Sequence, residues 1–317
     1  MLSRRHLAGL LAAPGLAAPL RAQPARPLRL VVSSAPGASL DALARIIAPA
    51  LSARLGQSVL VENQGGANGL LAAQQVARAE PDGSTLLVTG DAIILSGLAQ
   101  PDAGVALSNF APVIQAVRAA QIIATHPGAP FRDIAGYVAA VRARPGGLNV
   151  GIPSLGGIAQ VVHSLLGQRL GGLPVEFITY RGGGPAIADL IARNTDALVI
   201  TLPAITEQVR QGAILPLAVS TAERDPALPE VPSLSETVAP GFDIDSWQGL
   251  LAPARTPPAV VAALHQHLAA SLADPAVADR LRGLGFAITA LPPEAFRRRA
   301  EASAALFAPV IRRITGS

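Results

Sequence analysis

The stretch of residues 28–56 most constrains the fold of this chain, because it has the pattern of a strand, a short loop and a helix in direct succession. The apolar, β-branched run over residues 28–32 is typical of a parallel strand that is covered on both faces. Apolar residues then recur at three- and four-residue spacing from 40 to 55, which predicts an amphipathic helix with Ser39 as N-cap and Gly56 as C-cap. A strand that feeds a helix in this way indicates an α/β fold.

The loop at residues 36–38 sets the start of this helix above the predicted sheet. The free N–H groups and the positive dipole end of a helix favour an anion such as a carboxylate or a phosphate. Neither GxGxxG nor GxxxxGK[ST] occurs here, so the sequence does not indicate a nucleotide. Two interpretations of the pattern remain open: an anion site, and an ordinary strand–helix unit that binds no ligand.

The alternation of strand and helix recurs along the chain and predicts two similar lobes. Strands are expected at 58–62 and 84–89 around a helix at 70–79, and a second set of strands and helices occupies residues 149–202. We therefore expect two doubly wound α/β lobes. The other predicted elements are strands at 110–125, a helix at 131–142, a return strand at 242–252 with the only Trp, and Pro-initiated helices at 257–272, 275–283 and 293–313.

Three loops follow predicted strands and precede predicted helices, at residues 35–41, 154–157 and 180–185. Gly90 and Asp91 follow the third strand, so they are expected at the same edge of the first sheet. If the two lobes face each other, these loops converge in one crevice, which is where open α/β sheets bind ligands. The alternative is that Gly and Pro serve only to make tight turns at each loop.

Arg181, in the third loop, is the candidate for direct contact with an anion. Its fork of donors matches a carboxylate, and a solvated loop arginine is the other interpretation. The histidines do not indicate a metal site, because His265 and His267 are two residues apart and point away from each other on a helix. No GxSxG motif is present. An enzyme acting on a small organic acid, the second hypothesis, would depend on Asp41 or Asp91.

Residues 1–22 have the form of an export signal, with Arg4 and Arg5 before a short apolar run. The arginine pair is typical of the twin-arginine route, and the Sec route stays open. Removing this segment takes the formal net charge from +4 to +1, because it holds three Arg and no acid, and leaves no basic excess for a nucleic acid. The chain has no Cys and no later segment of eighteen uninterrupted apolar residues, so we expect a soluble mature protein without disulfides.

Six segments of the sequence, taken together, match the pattern of a known protein family. They are LRLVVSSAPGASLDALAR, LSARLGQSVLVENQGGANG, PDGSTLLV, ITYRGGGPAIADL, LAVSTAERDPALPEVPSLSE and SWQGLLAPARTPP. As a set they resemble the Bug-type periplasmic solute-binding receptors of tripartite tricarboxylate transporters, over about residues 28–310.

The resemblance implies a two-lobed periplasmic binding protein of the type II, flytrap architecture, with its lobes joined by crossover strands. The lobes are expected at residues 23–120 plus 246–317 and at 121–245. Such a receptor is a monomer without a cofactor, a metal or catalysis, and it delivers a small carboxylate-bearing solute to membrane transporter subunits. A ligand sensor for a signalling partner is the third hypothesis.

The resemblance also implies a set of ligand-binding residues, to which Gly90, Asp91 and Thr201 are added from their positions near strand ends. The implied residues are Pro36, Gly37, Ala38, Ser39 and Asp41 in the first lobe, and Ser154, Leu155, Gly156, Gly157, Tyr180, Arg181, Gly182, Gly183, Gly184 and Pro185 in the second.

The sequence departs from the family pattern at several of these positions. Ala38 stands where a second Gly is usual, and Thr201 stands where Asn or Asp is frequent. Leu155, Ile158 and Gln160 replace a small, polar run, so we expect the second-lobe side of the pocket to be less polar. These departures predict an organic acid with an apolar or aromatic body, while the identity of the acid stays open.

Overall fold

The sequence folds into an α/β structure in the computed structural model, which describes residues 26–315. The predicted export signal at residues 1–22 lies outside the described residues. In the first half, strands alternate with helices, and α3 is an addition to the predicted elements. The elements are β1 (Leu28–Val32), α1 (Ser39–Leu55), β2 (Val59–Asn63), α2 (Leu70–Ala77), β3 (Thr85–Gly90) and α3 (Ala92–Ala99).

The second set of strands and helices follows a long strand, β4 (Phe110–Thr125). Its elements are α4 (Ile134–Ala143), β5 (Asn149–Ile152), α5 (Ile158–Arg169), β6 (Glu176–Thr179), α6 (Gly183–Ile191), β7 (Ala197–Thr201), α7 (Thr206–Arg210) and β8 (Leu215–Val219). The chain then returns through β9 (Asp245–Pro253), α8 (Pro258–Leu272), α9 (Pro275–Gly283), β10 (Ala287–Leu291) and α10 (Pro293–Thr315).

The long strand β4 joins two sheets. Its first part pairs antiparallel with β9 and β10, beside the parallel strands β1, β2 and β3. Its last part pairs antiparallel with β7 and β8, beside β5 and β6. The partner changes from Asp245, opposite Ala120, to Thr201, opposite Gln121. The predicted lobe boundaries fall at this change of partner and stay a prediction.

Each lobe has apolar packing on both faces of its sheet. In the first lobe, α1 and α8 cover one face, and α2, α3 and α10 cover the other. In the second lobe, α4 and α5 cover one face and α6 covers the other. Because both faces are buried, the central strands β1 and β3 read as continuous apolar runs rather than alternating ones. This is why β1 could be predicted from its residue types alone.

The structure corrects several of the predicted elements. The N-cap of α1 is Ala38, which makes no side-chain cap bond, and Ser39 is the first helical residue. The stretch 110–125 is one strand rather than several. Helix α6 begins at Gly183, three residues before the predicted start, so the third loop is shorter than expected. The predicted C-cap Gly56 is confirmed, with φ of 65° and its N–H bound to the Ser52 carbonyl.

Candidate functional site

A cleft of about 660 Å³ lies between the two lobes at the carboxyl ends of their parallel strands. Nine of the predicted site residues line it: Ala38, Ser39, Ser154, Leu155, Tyr180, Arg181, Gly182, Gly183 and Thr201. The other nine do not line it: Pro36, Gly37, Asp41, Gly90, Asp91, Gly156, Gly157, Gly184 and Pro185. Ala35 and Leu40, which belong to the predicted loop at residues 35–41, also line the cleft. Further lining residues that sequence reasoning missed are Ser33, Ser34, Gly65, Gly66, Ala67, Asn68, Gly69, Ala92, Gln100, Pro153, Thr179, Ile200 and Ala204.

The start of α1 forms the first-lobe side of the cleft. The backbone N–H groups of Ser39, Leu40 and Asp41 make no hydrogen bond to any described residue. Unpaired donors at the start of a helix carry its positive dipole end, so they attract an acceptor oxygen. Ser39 and Leu40 both line the cleft. The predicted anion-ready helix start therefore faces the space between the lobes.

Asp41 supports this helix start from behind. Its carboxylate accepts hydrogen bonds from the Gly37 N–H at 3.0 Å, from Arg45 Nε at 2.9 Å and from Asn63 Nδ2 at 2.9 Å. Burial opposes ionisation of this carboxyl, but the hydrogen bonds from Arg45, Gly37 and Asn63 outweigh it and lower its pKa. Asp41 is therefore a buried, ionised group that fixes the loop and does not reach the cleft.

Gly90 and Asp91 lie outside the cleft lining, where β3 meets β9. The chain returns to the first lobe through β9, and β4 and β9 are called the crossover strands. A Cβ at Gly90 would come within 2.8 Å of the Trp247 carbonyl oxygen, so only Gly fits this close approach. Asp91 is 2% exposed and accepts hydrogen bonds from Ser246 Oγ at 3.0 Å and from the Trp247 N–H at 3.1 Å. Burial, helped by the nearby charge of Asp245, raises the pKa of Asp91 to about 7.

The loop at residues 154–157 forms one second-lobe wall of the cleft. Ser154 Oγ donates a hydrogen bond to Asn68 Oδ1 at 3.0 Å, and this bond crosses from one lobe to the other. The loop itself is held by Gln160, whose Oε1 accepts from the Gly156 N–H at 2.7 Å. Leu155 points into the open part of the cleft and is 66% exposed. Ile158 does not line the cleft, because it packs against the second-lobe core.

The loop before α6 forms the other second-lobe wall. The Tyr180 hydroxyl donates to Asp189 Oδ2 at 2.7 Å, and burial together with this carboxylate raises the pKa of Tyr180 to about 12. Gly182 has φ of +116°, and a Cβ there would lie 3.4 Å from the Ala35 Cβ of the first lobe. The two lobes therefore approach each other closely on this side as well.

Arg181 is the one charged side chain among the residues that line the cleft. It is exposed, and it forms no hydrogen bond or ion pair with any described residue. The lining is otherwise made of small, polar or apolar residues, so the cleft carries a net positive charge. An anionic ligand would find a bidentate partner here.

The structure gives no indication of a metal or a membrane segment over residues 26–315. Nowhere in this range do three His, Asp or Glu side chains come together as a metal site would require. None of the helices in the same range combines the length and the apolar character needed to cross a bilayer.

These features define a class of protein: two α/β lobes on shared crossover strands, with a ligand cleft between them, are the architecture of periplasmic binding proteins. The solved structure of the periplasmic binding protein BugD superposes with a TM-score of 0.86 at 29% identity, covering 92% of this chain and 98% of that one. An R. palustris protein solved with adipate gives a TM-score of 0.85 at 29% identity, with the same coverage of both chains.

The family is established by sequence. Residues 43–315 match the model of the tripartite tricarboxylate transporter family receptors. The protein BugT of Bordetella pertussis is 31% identical over 280 residues, which span 87% of this chain and 86% of that protein. The chain therefore belongs to the tripartite tricarboxylate transporter receptor family, a family of periplasmic binding proteins, and it is a solute-binding receptor.

Proposed function

We propose that this receptor binds a small organic acid in the cleft, with the carboxylate between the start of α1 and Arg181. The observation that carries the proposal is the unpaired Arg181, the one charged residue of the lining, in a cleft that also holds unpaired N–H donors of α1. Both groups are donors, so they favour an acceptor anion over a cation or a neutral donor. The adipate bound in the R. palustris relative is an acid of this kind.

The proposed solute has an apolar body. Leu40, Ala92, Leu155, Ile200 and Ala204 line the cleft, and none of them can hydrogen-bond a second polar end through its side chain. The sequence-based argument used Leu155 and Ile158, and only Leu155 contributes. The larger apolar contribution comes from residues that the sequence did not single out.

The receptor is proposed to work in the periplasm after export by the segment at residues 1–22, and to deliver its solute to the membrane subunits of a tripartite transporter without catalysis. The enzyme hypothesis has no support in the cleft, since neither Asp41 nor Asp91 lines it. Deletion of the gene tests the transporter role. Loss of acid uptake supports it, whereas intact uptake with an altered transcriptional response favours the sensor hypothesis.

A thermal-shift panel tests ligand binding. The panel contains hexanoate, benzoate, adipate, malate, glutamate and citrate, and a ligand that binds only the folded state adds about 2.7 kcal/mol at 100 times its Kd. We expect the largest rise in midpoint with acids that have an apolar body. A rise with citrate alone would contradict the apolar body, and no rise with any acid would contradict carboxylate binding.

A further inference from the structure

Two buried glutamines lie on the crossover strands, and each reaches a hydroxyl that lines the cleft. Gln248 is on β9 and 3% exposed, and Gln121 is on β4 and 1% exposed. Gln248 Nε2 donates to Ser39 Oγ of the first lobe at 2.8 Å, and Gln121 Nε2 donates to Thr201 Oγ1 of the second lobe at 3.0 Å. Neither glutamine lines the cleft itself.

These bonds determine which further hydrogen bonds each hydroxyl can make. A hydroxyl has one proton to donate and two lone pairs that accept. In both pairs the glutamine N–H donates to a lone pair of the hydroxyl oxygen. The hydroxyl therefore does not donate its own proton to the amide. Neither Ser39 nor Thr201 donates its hydroxyl proton to any described residue. Each therefore has a proton available for an acceptor in the cleft.

The positions of the glutamines are fixed by the sheets rather than by the cleft. Gln248 is paired in register with Gly90 of β3 and Val117 of β4. Gln121 is paired directly with Thr201 of β7. Because both crossover strands are central and buried, the two amides are held rigidly behind the two hydroxyls.

We propose that Gln248 and Gln121 are positioning residues that turn Ser39 and Thr201 into hydrogen-bond donors toward the solute, one from each lobe. This inference rests on the proposed binding of an acid in the cleft. Together with the N–H groups of α1 and with Arg181, the two hydroxyls give the cleft donors on both sides. The carboxylate of the solute can then accept hydrogen bonds from hydroxyls of both lobes, while its apolar body contacts the apolar part of the lining.

The inference is testable because the opposite orientation of the glutamine amide predicts the opposite effect of a glutamine substitution on solute affinity. With Oε1 facing the hydroxyl, Ser39 or Thr201 would donate to the glutamine, and removal of the glutamine would release that proton to the solute. Gln→Met variants would then bind at least as tightly as the unmodified protein. In the proposed orientation the same variants leave the hydroxyl unanchored and weaken binding.

Calorimetric titration with the panel acid that gives the largest midpoint rise is the test. We expect Gln248→Met and Gln121→Met each to weaken binding about 10-fold, the loss of roughly one hydrogen bond. Gln115→Met is the matched control, because Gln115 is also a buried glutamine, 2% exposed, that donates to a threonine, Thr289, outside the cleft. We expect its affinity to be unchanged.

Double variants separate positioning from packing. On a Ser39→Ala background, Gln248→Met should add no further loss of affinity, and on a Thr201→Val background Gln121→Met should add none. Equal losses with and without the hydroxyl would overturn the inference, as would Met variants that bind like the unmodified protein or more tightly.

A measurement without solute separates this inference from the proposed function. In the solute-free protein, the midpoint losses of Ser39→Ala and Gln248→Met should be smaller in combination than their sum, because both remove the same bond. Additive losses would show that Gln248 and Ser39 do not form the hydrogen bond, and would overturn the inference. An absence of binding by any panel acid, with coupled midpoints, would overturn only the proposed function.

Discussion

Asp41 and Asp91 are both buried carboxyls near the cleft, and their surroundings drive their pKa values in opposite directions. Three donors converge on Asp41, so its ionised form prevails in spite of burial. Asp91 has two donors, an Oδ1 without a partner among the described residues, and the like charge of Asp245 nearby. Two buried carboxyls outside the cleft lining thus differ in charge state: Asp41 stays ionised, and Asp91 titrates near neutrality.

The pH dependence of stability should report Asp91. Its pKa is raised to about 7 in the folded protein from an ordinary value of 3.8, so the folded state holds the proton more tightly. The stability that this contributes is complete below pH 4 and is lost as pH rises toward 7, by at most about 4 kcal/mol. We expect Asp91→Asn to remove this decline, as measured by chemical denaturation between pH 4 and 8. A decline of the same size in the variant would assign it to another group.

At the scale of elements, the segment at residues 65–69 makes a direct hydrogen bond from the first lobe to the second. Gly66, Ala67, Asn68 and Gly69 all have positive φ, a conformation that is uncommon for residues other than Gly and that Asn tolerates better than most. Asn68 accepts from Ser154 across the cleft, and its carbonyl accepts from Ser96 Oγ of α3 at 3.1 Å. The strained turn therefore presents a side chain to the opposite lobe.

Removal of the Asn68 side chain should weaken solute binding more than it weakens folding. Asn68→Gly keeps the left-handed backbone accessible and loses the bond to Ser154, so we expect an affinity about 10-fold lower and a small change in midpoint. Asn68→Ala loses the same bond and adds backbone strain, so its midpoint should fall further. Ser154→Ala should match the glycine variant in affinity. An unchanged affinity in all three variants would show that the bond between Ser154 and Asn68 does not contribute to solute binding.

Elements defined by local residue types could be predicted from the sequence. The strand Asn149–Ile152 and the helix Pro275–Gly283 are found with the predicted bounds, because an apolar run and a Pro start with a Gly end mark them locally. The cap at Ser39 was predicted wrongly, because its hydroxyl bonds to Gln248, 209 residues away, rather than to its own helix. Helix α3 was not predicted, since its apolar run lacks a polar face.

In the cleft, too, features marked by local residue types could be predicted, and features that depend on distant contacts could not. Loops that begin helices were recognisable, and so Ala38, Ser39 and Arg181 were named as candidates; all three line the cleft, and their contact with a ligand stays a prediction. The turn at 65–69 reads as a simple connection, and nothing local marks Asn68 as a cross-lobe partner. Gln121 and Gln248 lie inside apolar strands, where only the tertiary pairing of the strands brings them to the cleft hydroxyls.

At the scale of the whole molecule, α10 contacts both lobes. Phe307, Val310 and Ile311 of this helix pack in one cluster with Leu95 of the first lobe and Val161 of the second. The lobes are therefore connected through the crossover strands and through this apolar cluster. A movement that opens the cleft must accommodate both.

Truncation of the buried Phe307 side chain should lower the stability of the fold substantially. Phe307→Ala leaves a cavity where α10 meets both lobes, and we expect it to lower the free energy of unfolding by about 3–5 kcal/mol. Leu306→Ala, one residue earlier on the exposed side of the same helix, should cost less than about 1 kcal/mol. Urea denaturation measures both, and similar losses would show that the cluster does not stabilise the fold.

Comparison of an acid with its neutral amide tests the central claim most directly. Calorimetric titration would use the panel acid with the largest midpoint rise and its primary amide, against the unmodified protein, Arg181→Met and the control Arg255→Met, whose arginine is exposed outside the cleft. We predict that the unmodified protein prefers the acid and that Arg181→Met weakens acid binding by about 10- to 100-fold, without changing the amide. We expect Arg255→Met to bind like the unmodified protein. Equal affinity for acid and amide, or an Arg181→Met variant that binds the acid normally, would contradict a carboxylate-binding cleft.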